Sequence, residues 1–162
     1  MVAEPFRSRW GTPLVVRVAI ADDSRWVGSF EAGGMRALTG VFACPNPIQA
    51  LVVCDGRPYL VDVTAPTRAT VVDLEPVTQV RRVRDLDLLV LAGHSDLAAL
   101  GPTGLVWHSE RLCLDDLRVL DAAAEGIRCA GDLLGSSEEF TVDALTGQVR
   151  SGPRFLDIWP GD

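Results

Sequence analysis

Three short apolar segments recur at a constant interval along the chain, and this recurrence constrains the fold more than any other feature. Their first residues, Leu51, Leu89 and Ile127, are 38 positions apart. Turn-forming residues follow each segment, and a second apolar segment comes after each turn. Short strands with turns at about 8 to 12 residue intervals are typical of β-sandwiches, barrels and propellers. We therefore predict an all-β fold of antiparallel sheets from a weak 38-residue repeat, propeller-like or arranged as stacked sheets or a sandwich.

The length of 162 residues fits a single all-β domain spanning residues 1–162. Before the repeats, β-branched residues at 14–20 and an apolar segment at 26–30 predict a hairpin with its turn at Asp22-Asp23-Ser24. The predicted parts of the domain are an N-terminal arm at 1–13, repeat-like units at about 38–74, 77–109 and 117–150, and a tail strand at 154–159.

Two local assignments have specific reasons. Residues Asp55-Gly56-Arg57-Pro58 predict a four-residue turn between strands at 49–54 and 59–64. Residues 117–125 are ambiguous, because Leu117–Leu120 reads as a strand whereas Ala122-Ala123-Ala124 favours a helix.

Two stretches carry a family resemblance. The first runs from Leu89-Val90-Leu91-Ala92-Gly93 to Leu105-Val106-Trp107, and the second is Asp143-Ala144-Leu145-Thr146-Gly147. They resemble the repeat of quinoprotein-type β-propellers, in which two strands are followed by a Thr-Gly turn and a tryptophan-bearing strand. The likeness covers about 110 residues in three units, of which only one has the tryptophan and the first lacks Thr-Gly.

The resemblance implies propeller blades, but the chain has room for little more than four. A closed ring would need the hairpin at 14–30 to be completed by the tail strand near Ile158. The alternatives are packed sheets, or a half ring completed by a second subunit.

The charge pattern disfavours several functions. The net charge is −7, and all 15 basic residues are arginine, which excludes a Schiff-base lysine and a P-loop lysine. An acidic chain is a poor non-specific nucleic-acid binder, because that mode requires neutralisation of phosphates. The one basic cluster, Arg81-Arg82-Val83-Arg84, is followed at once by acids and is interpreted as a solvated strand edge.

Cysteine spacing and hydropathy suggest the compartment. Cys44, Cys54, Cys113 and Cys129 form no C-x-x-C pair, so we predict buried thiols and no metal site. No signal-peptide core follows the N-terminal arginines, and no apolar run reaches the length of a membrane span. We therefore expect a cytoplasmic protein with no membrane contact.

No constellation of residues predicts catalysis. The strings His94-Ser95-Asp96 and His108-Ser109-Glu110 are contiguous, whereas the members of a catalytic triad normally converge from distant segments. The adjacent acids Asp115-Asp116 and Glu138-Glu139 are expected to diverge or to face water. The sequence thus leans against an enzyme and predicts no catalytic residue, metal or cofactor.

Aromatic residues and arginine are enriched in binding hot spots, although a strand tryptophan more often packs in a core. This class includes Trp10, Trp26 and Trp159. The predicted ligand-binding residues are Tyr59, Arg57, Trp107, His108 and Arg111.

The surplus of acid and the lack of a catalytic set favour a non-catalytic protein-binding function of immunity or accessory type, using loops and edges of the β-repeat scaffold. The expected partner is another protein with a basic surface, and a homodimer is a further alternative. The competing hypothesis is a small-molecule-binding protein or enzyme with its site where the loops of the units converge. It would require Asp62, Asp96 and Asp143 to meet in one pocket.

Overall fold

A computed structural model describes residues 12–19 and 25–158. Antiparallel β-sheets are the main regular structure of the described chain, which confirms the predicted fold class. It divides into two compact units, unit 1 within residues 1–77 and unit 2 within residues 78–162. Most of the predicted N-terminal arm, the turn at Asp22-Asp23-Ser24 and Trp159 lie outside the described residues.

Unit 1 consists of a two-stranded hairpin and a four-stranded sheet in sequential order. The hairpin strands are β1 (Leu14–Ala19) and β2 (Arg25–Phe30). The sheet contains β3 (Gly40–Ala43), β4 (Gln49–Cys54), β5 (Arg57–Asp62) and β6 (Thr70–Val71).

Strict alternation along the hairpin explains how it packs. Val18 pairs with Trp26 and Leu14 with Phe30, so these side chains share the face that is buried against β4 and β5. The Trp26 indole N–H donates a 2.8 Å hydrogen bond to the carbonyl oxygen of Val63, which satisfies its buried polar atom. The opposite face of the hairpin is open, with Val15 64% exposed.

The turn between β4 and β5 is shorter than predicted. Cys54 pairs directly with Arg57, so the turn contains only Asp55 and Gly56. Their φ angles of 45° and 83° are those of a type I′ turn, whose twist suits a two-residue hairpin. The four-residue turn was therefore wrong, and Arg57 and Pro58 belong to β5.

Unit 2 consists of two four-stranded sheets, each again in sequential order. The first contains β7 (Gln79–Val83), β8 (Leu88–Ala92), β9 (Leu97–Gly101) and β10 (Gly104–His108). The second contains β11 (Asp115–Ala123), β12 (Gly126–Asp132), β13 (Ser137–Val142) and β14 (Val149–Ser151). Four-stranded antiparallel meanders of this kind are the structural unit of propeller blades.

The two sheets of unit 2 share one apolar core. Leu88 and Val90 of the first sheet cluster with Ile127, Cys129 and Phe140 of the second. All five are at most 5% exposed, which makes this burial the main favourable contribution to folding of the unit.

The ambiguous segment after Leu117 is a strand. β11 runs through Ala122 and Ala123, because these residues pair with Ile127 and Gly126 of β12 across a tight turn. Pairing with the next strand here outweighs the helix propensity of the alanines.

The predicted tail strand was wrong over its described part. Phe155–Ile158 is a short helix, α1. Gly152, at φ 96°, turns the chain after β14, and Pro153 has no N–H to donate to a ladder. Phe155 then buries its ring in the unit 2 core. Residues 155–158 therefore do not complete the β1–β2 sheet.

The three recurring positions occupy the second strand of the three four-stranded sheets. Leu51 lies in β4, Leu89 in β8 and Ile127 in β12, and none is more than 3% exposed. They differ in which face they occupy. Ile127 packs in the core shared with the preceding sheet, whereas Leu51 points away from the face that holds Val52 against the preceding hairpin.

Several smaller predictions also have outcomes. Arg81 and Arg82 are exposed on β7, an edge strand of its sheet, as the solvated-edge interpretation requires. All four cysteines are buried as predicted, and Cys54, Cys113 and Cys129 are thiols. Among residues 12–19 and 25–158, no helix has the length and hydropathy needed to cross a membrane.

Candidate functional site

The five predicted ligand-binding residues are divided between the two units. Arg57 and Tyr59 lie on β5 of unit 1, whereas Trp107 and His108 end β10 of unit 2 and Arg111 follows that strand. Their contacts within each unit do not join all five into one site, and their binding role stays a prediction.

The two residues of unit 1 hold the segment after the hairpin. Tyr59 is 5% exposed, its hydroxyl donates to the Glu31 carbonyl at 2.9 Å, and its ring lies 5.3 Å from that of Phe30. Burial raises the pKa of its phenol. Arg57 bridges the carboxylates of Glu31 and Glu75 at 3.1 and 3.2 Å. Both side chains thus already have structural partners.

Trp107 joins the two sheets of unit 2. Its indole N–H donates to the carbonyl of Ala144 at 3.0 Å. Its ring lies against Gly147, where an added Cβ would stand only 2.6 Å from Cε3 of the indole. The tryptophan-bearing strand and the Asp-x-x-Thr-Gly turn, two separate features of the sequence, therefore contact each other.

His108 and Arg111 also have partners within unit 2. Nε2 of His108 lies 2.6 Å from Oδ2 of Asp96. The Arg111 guanidinium donates to the carbonyls of Cys113 and Leu114 and lies 5.3 Å from the centre of the Phe155 ring. A cation over an aromatic face at this distance is attractive, so Arg111 helps to hold α1 in place.

A cavity of about 340 Å³ in unit 2 collects several other polar side chains. It lies where the start of β7, the turn after β8 and the start of β11 meet. The lining residues are Thr78, Gln79, Gly93, His94, Asp115, Asp116, Leu117 and Arg118.

A β-bulge between Asp115 and Arg118 positions the acids at this cavity. The register shifts there, and Asp116 has a left-handed φ of 55°, which aspartate tolerates better than most residues. Bulges redirect side chains and are frequent beside functional sites. Asp115 and Asp116 consequently remain 66% and 70% exposed at the rim instead of pairing with each other.

The Asp115 carboxylate is held in its charged form. The backbone N–H of Asp116 donates to it at 2.7 Å, and Nδ1 of His94 lies 2.8 Å from the same oxygen. These two hydrogen bonds, in that order, lower the pKa of Asp115 below its usual range. At the other acid, Arg118 Nε lies 3.4 Å from Asp116 Oδ2, in an exposed pair that water screens strongly.

The neighbouring thiol is not set up as a nucleophile. Cys113 Sγ contacts the carbonyl oxygens of His94 and Asp115 and not an imidazole nitrogen. Burial, followed by the charge of Asp115, raises the pKa of Cys113 to about 11. A thiol must ionise to react, so the native environment suppresses its chemistry. Within the described ranges, no group of three or more His, Cys, Asp or Glu side chains is arranged to hold a metal ion.

The aspartates named by the small-molecule hypothesis do not line the cavity of unit 2 and have local roles instead. Asp96 precedes β9, and its carboxylate lies beside the His108 imidazole. Asp143 caps its own turn by accepting from the N–H groups of Leu145 and Thr146. In unit 1, Asp62 caps the turn after β5 in the same manner.

Some residues of the unit 2 cavity stand out in the sequence, but their spacing does not predict that they come together. Asp115-Asp116 is visible as an acidic pair and His94 as a turn residue, 21 positions apart. Only the pairing of β11 with β12 and the packing of the two sheets bring these groups together. The hydrogen bond from Trp26 to Val63 was likewise not predicted.

Comparisons with known proteins show little similarity. No protein-family model matches the chain, and no curated protein matches it. A solved structure described as the N-terminal domain of Nup159 is similar to it at 18% identity and a TM-score of 0.43. The match covers 80% of this chain and 32% of that chain. A score this low supports no argument about fold or function.

Proposed function

We propose that this chain is a non-catalytic protein-binding scaffold of blade-like sheets and that unit 2 contacts a basic surface of a partner protein. The carrying observation is the distribution of charge. Residues 78–162 contain 14 acidic and 8 basic side chains, a net charge of −6, whereas residues 1–77 contain 8 and 7, a net charge of −1. Surplus charge of one sign attracts and orients an oppositely charged partner.

The cavity beside Asp115 and Asp116 gives this attraction a local geometry. Both carboxylates are exposed at the rim, and the hydrogen bonds that lower the pKa of Asp115 favour its charged form. A guanidinium or ammonium group that entered the cavity would compete with His94 for Asp115 and with Arg118 for Asp116. Both pairs are exposed, and exposed pairs contribute little. We assign the cavity as the place where a basic partner side chain binds.

The remaining parts of the proposal have separate support. A binding role without catalysis agrees with the raised pKa of Cys113 and with the structural partners of both histidines. A cytoplasmic location is supported by the thiol state of Cys54, Cys113 and Cys129, because exported proteins tend to carry disulfides.

The test uses a fluorescently labelled oligo-arginine peptide as the basic probe and the full chain as the receptor. We expect binding that weakens as salt is raised, because screening reduces attraction between exposed charges. The variant Asp115→Asn, Asp116→Asn removes both rim charges with little change of shape, and we expect about tenfold weaker binding. Asparagine also accepts the left-handed conformation of residue 116.

The matched control is Glu138→Gln, Glu139→Gln, which removes the same charge from an exposed part of β13. We expect it to weaken binding by about twofold or less, since only the long-range attraction changes. Equal losses in the two double variants would show that net charge and not the cavity binds the probe. Absence of binding at low salt would refute the proposed function.

A further inference from the structure

The same tryptophan contact occurs once in each unit, at the same spacing. Trp26 donates to the carbonyl of Val63 and Trp107 to that of Ala144, and donor and acceptor are 37 residues apart in both cases. In both units the accepting residue directly follows an aspartate that caps the turn between the third and fourth strands of a sheet. The two contacts are therefore structurally equivalent.

Strand pairing extends this equivalence to the hairpin. Trp26 of β2 pairs with Val18 of β1, and Trp107 of β10 pairs with Ala99 of β9. The two tryptophans are 81 positions apart, as are their two partners and the two acceptor residues. Strands β1 and β2 therefore correspond to β9 and β10, the third and fourth strands of a complete sheet.

This correspondence identifies which strands the hairpin lacks. Ala99 of β9 has a second neighbour, Val90 of β8, and β7 lies beyond it. Within residues 12–19 and 25–158, β1 has no neighbour on that side. No described residue thus fills the positions of the first and second strands, and in this part of the chain one edge of β1 offers backbone groups to another strand.

The β3–β6 sheet, on which the hairpin packs, is exposed at β3 on the side of the free β1 edge. Val41 of β3 pairs with Val52 of β4, so their side chains share the face on which the hairpin lies. Val52 is 1% exposed, but Val41 is 52% exposed. A cavity of about 570 Å³ is lined by Leu14 at the start of β1 and by Cys54 at the end of β4. A strand beside β1 would lie over this exposed surface.

The outer face of the hairpin restricts the chemistry of the incoming strand. Register places Val15, Arg17, Arg25 and Val27 on this face, and none of its six described positions is acidic. Acidic side chains facing outward beside Arg17 would be favourable, whereas apolar side chains would have to face Val41.

We propose that the free edge of β1 and the adjoining face of β3 bind a β-hairpin of a partner protein that alternates apolar and acidic residues. The edge contributes main-chain hydrogen bonds, and Val41 contributes an apolar contact. We propose two strands for the partner segment because every other sheet in the described chain has four strands, and β1 and β2 supply only two. This proposal does not depend on the acidic surface of unit 2, since its contacts all lie in unit 1.

The probe is a synthetic peptide of residues 115–132 carrying Arg128→Glu and Cys129→Ala, with a scrambled peptide as the control. These residues form the first two strands of the β11–β14 sheet, and Arg128 is replaced because it faces outward on β12, where the proposal requires an acid. The peptide has six acids and one arginine. Hydrogen exchange of the full chain is measured by mass spectrometry with and without peptide. We expect slower exchange in β1 and unchanged exchange in β9, whose two edges are already paired.

Paired variants then test the two surfaces. Val41→Thr removes apolar contact and should weaken peptide binding about fivefold, whereas Val71→Thr, an equally exposed change at the other edge of the same sheet, should leave it unaltered. Arg17→Glu should also weaken binding, and Arg68→Glu, in an exposed loop of the same unit, should not.

Three results would overturn the proposal. One is the absence of β1 protection at about 1 mM peptide. Another is an equal effect of the Val41 and Val71 variants. The third is protection that appears only after deletion of residues 1–11, since the chain's own N-terminal segment and not a partner would then occupy the edge.

Discussion

The two units share one tryptophan contact but differ in completeness and charge. In unit 2, Trp107 projects from a four-stranded sheet, whereas Trp26 of unit 1 projects from a two-stranded hairpin. Unit 2 holds nearly all of the surplus negative charge, and the open face of the unit 1 hairpin carries arginine. The comparison shows that the same tryptophan contact can hold either a complete four-stranded sheet or a two-stranded hairpin. It also distinguishes two candidate binding surfaces, the acidic cavity of unit 2 and the free edge of β1.

Replacing the two tryptophans by alanine tests their equivalence and should have the largest effect. Each tryptophan is at most 9% exposed, and its indole N–H donates one hydrogen bond to a backbone carbonyl. We expect Trp26→Ala and Trp107→Ala each to lower the free energy of unfolding by about 4 kcal/mol. Urea denaturation followed by circular dichroism measures both.

Trp107→Phe is the control, because it keeps one aromatic ring and removes the hydrogen bond and part of the indole, at a cost of about 2 kcal/mol. A cost for Trp26→Ala below about 1 kcal/mol would break the equivalence. The length of the chain predicts a single domain, and a single domain unfolds in one cooperative transition. Each variant should therefore shift that one transition.

A glycine in the turn of unit 2 distinguishes the two tryptophan contacts. Gly147 has a φ of 74° and faces the Trp107 indole, whereas the position 81 residues earlier is Pro66. Gly147→Ala should cost about 2 kcal/mol, through backbone strain and a contact of 2.6 Å with the indole.

Thermal or urea unfolding measures this cost, with Gly34→Ala as the control. A Cβ added at Gly34 would have no atom within 4 Å, and the residue has no left-handed φ, so alanine there should be close to neutral. If the two alanine variants were equally stable, the indole would not be packed against the turn as described.

The turn aspartates should give the smallest effect, visible mainly through pH. Hydrogen bonds from the Thr64 side chain and backbone lower the pKa of Asp62, and those from the Leu145 backbone and Thr146 side chain lower the pKa of Asp143. Because the folded-state pKa is below the unfolded value of about 4, the stabilisation is complete above that pH. It is lost as the pH falls through the lower folded-state pKa.

Urea midpoints of Asp62→Asn, Asp143→Asn and the parent chain at neutral and strongly acidic pH test this linkage. Each variant should be slightly less stable than the parent at neutral pH, and the difference should shrink in acid, where the parent carboxylate is protonated. If the stability difference between parent and variant stayed constant with pH, the charge of the aspartate would not be what stabilises these turns.

Alternation and turn chemistry allowed most strands to be predicted from the sequence. β1, β2, β4, β8 and β12 were found because β-branched and aliphatic residues lie between turn-forming residues. Local propensity left the segment at 117–125 open, and pairing with β12 made Ala122 and Ala123 part of a strand. The tail strand was an error, because Phe155 begins a helix that lets its ring join the core.

The sequence by itself determined the all-β class, the second-strand positions of Leu51, Leu89 and Ile127, and the acidic balance, because local periodicity and composition suffice for these. The tertiary structure decided which residues meet. It placed His94 beside Asp115, set Trp107 against Gly147, and left one side of β1 without a neighbouring strand among the described residues. These features depend on register and on sheet-to-sheet packing between residues distant in the chain, which no local pattern encodes.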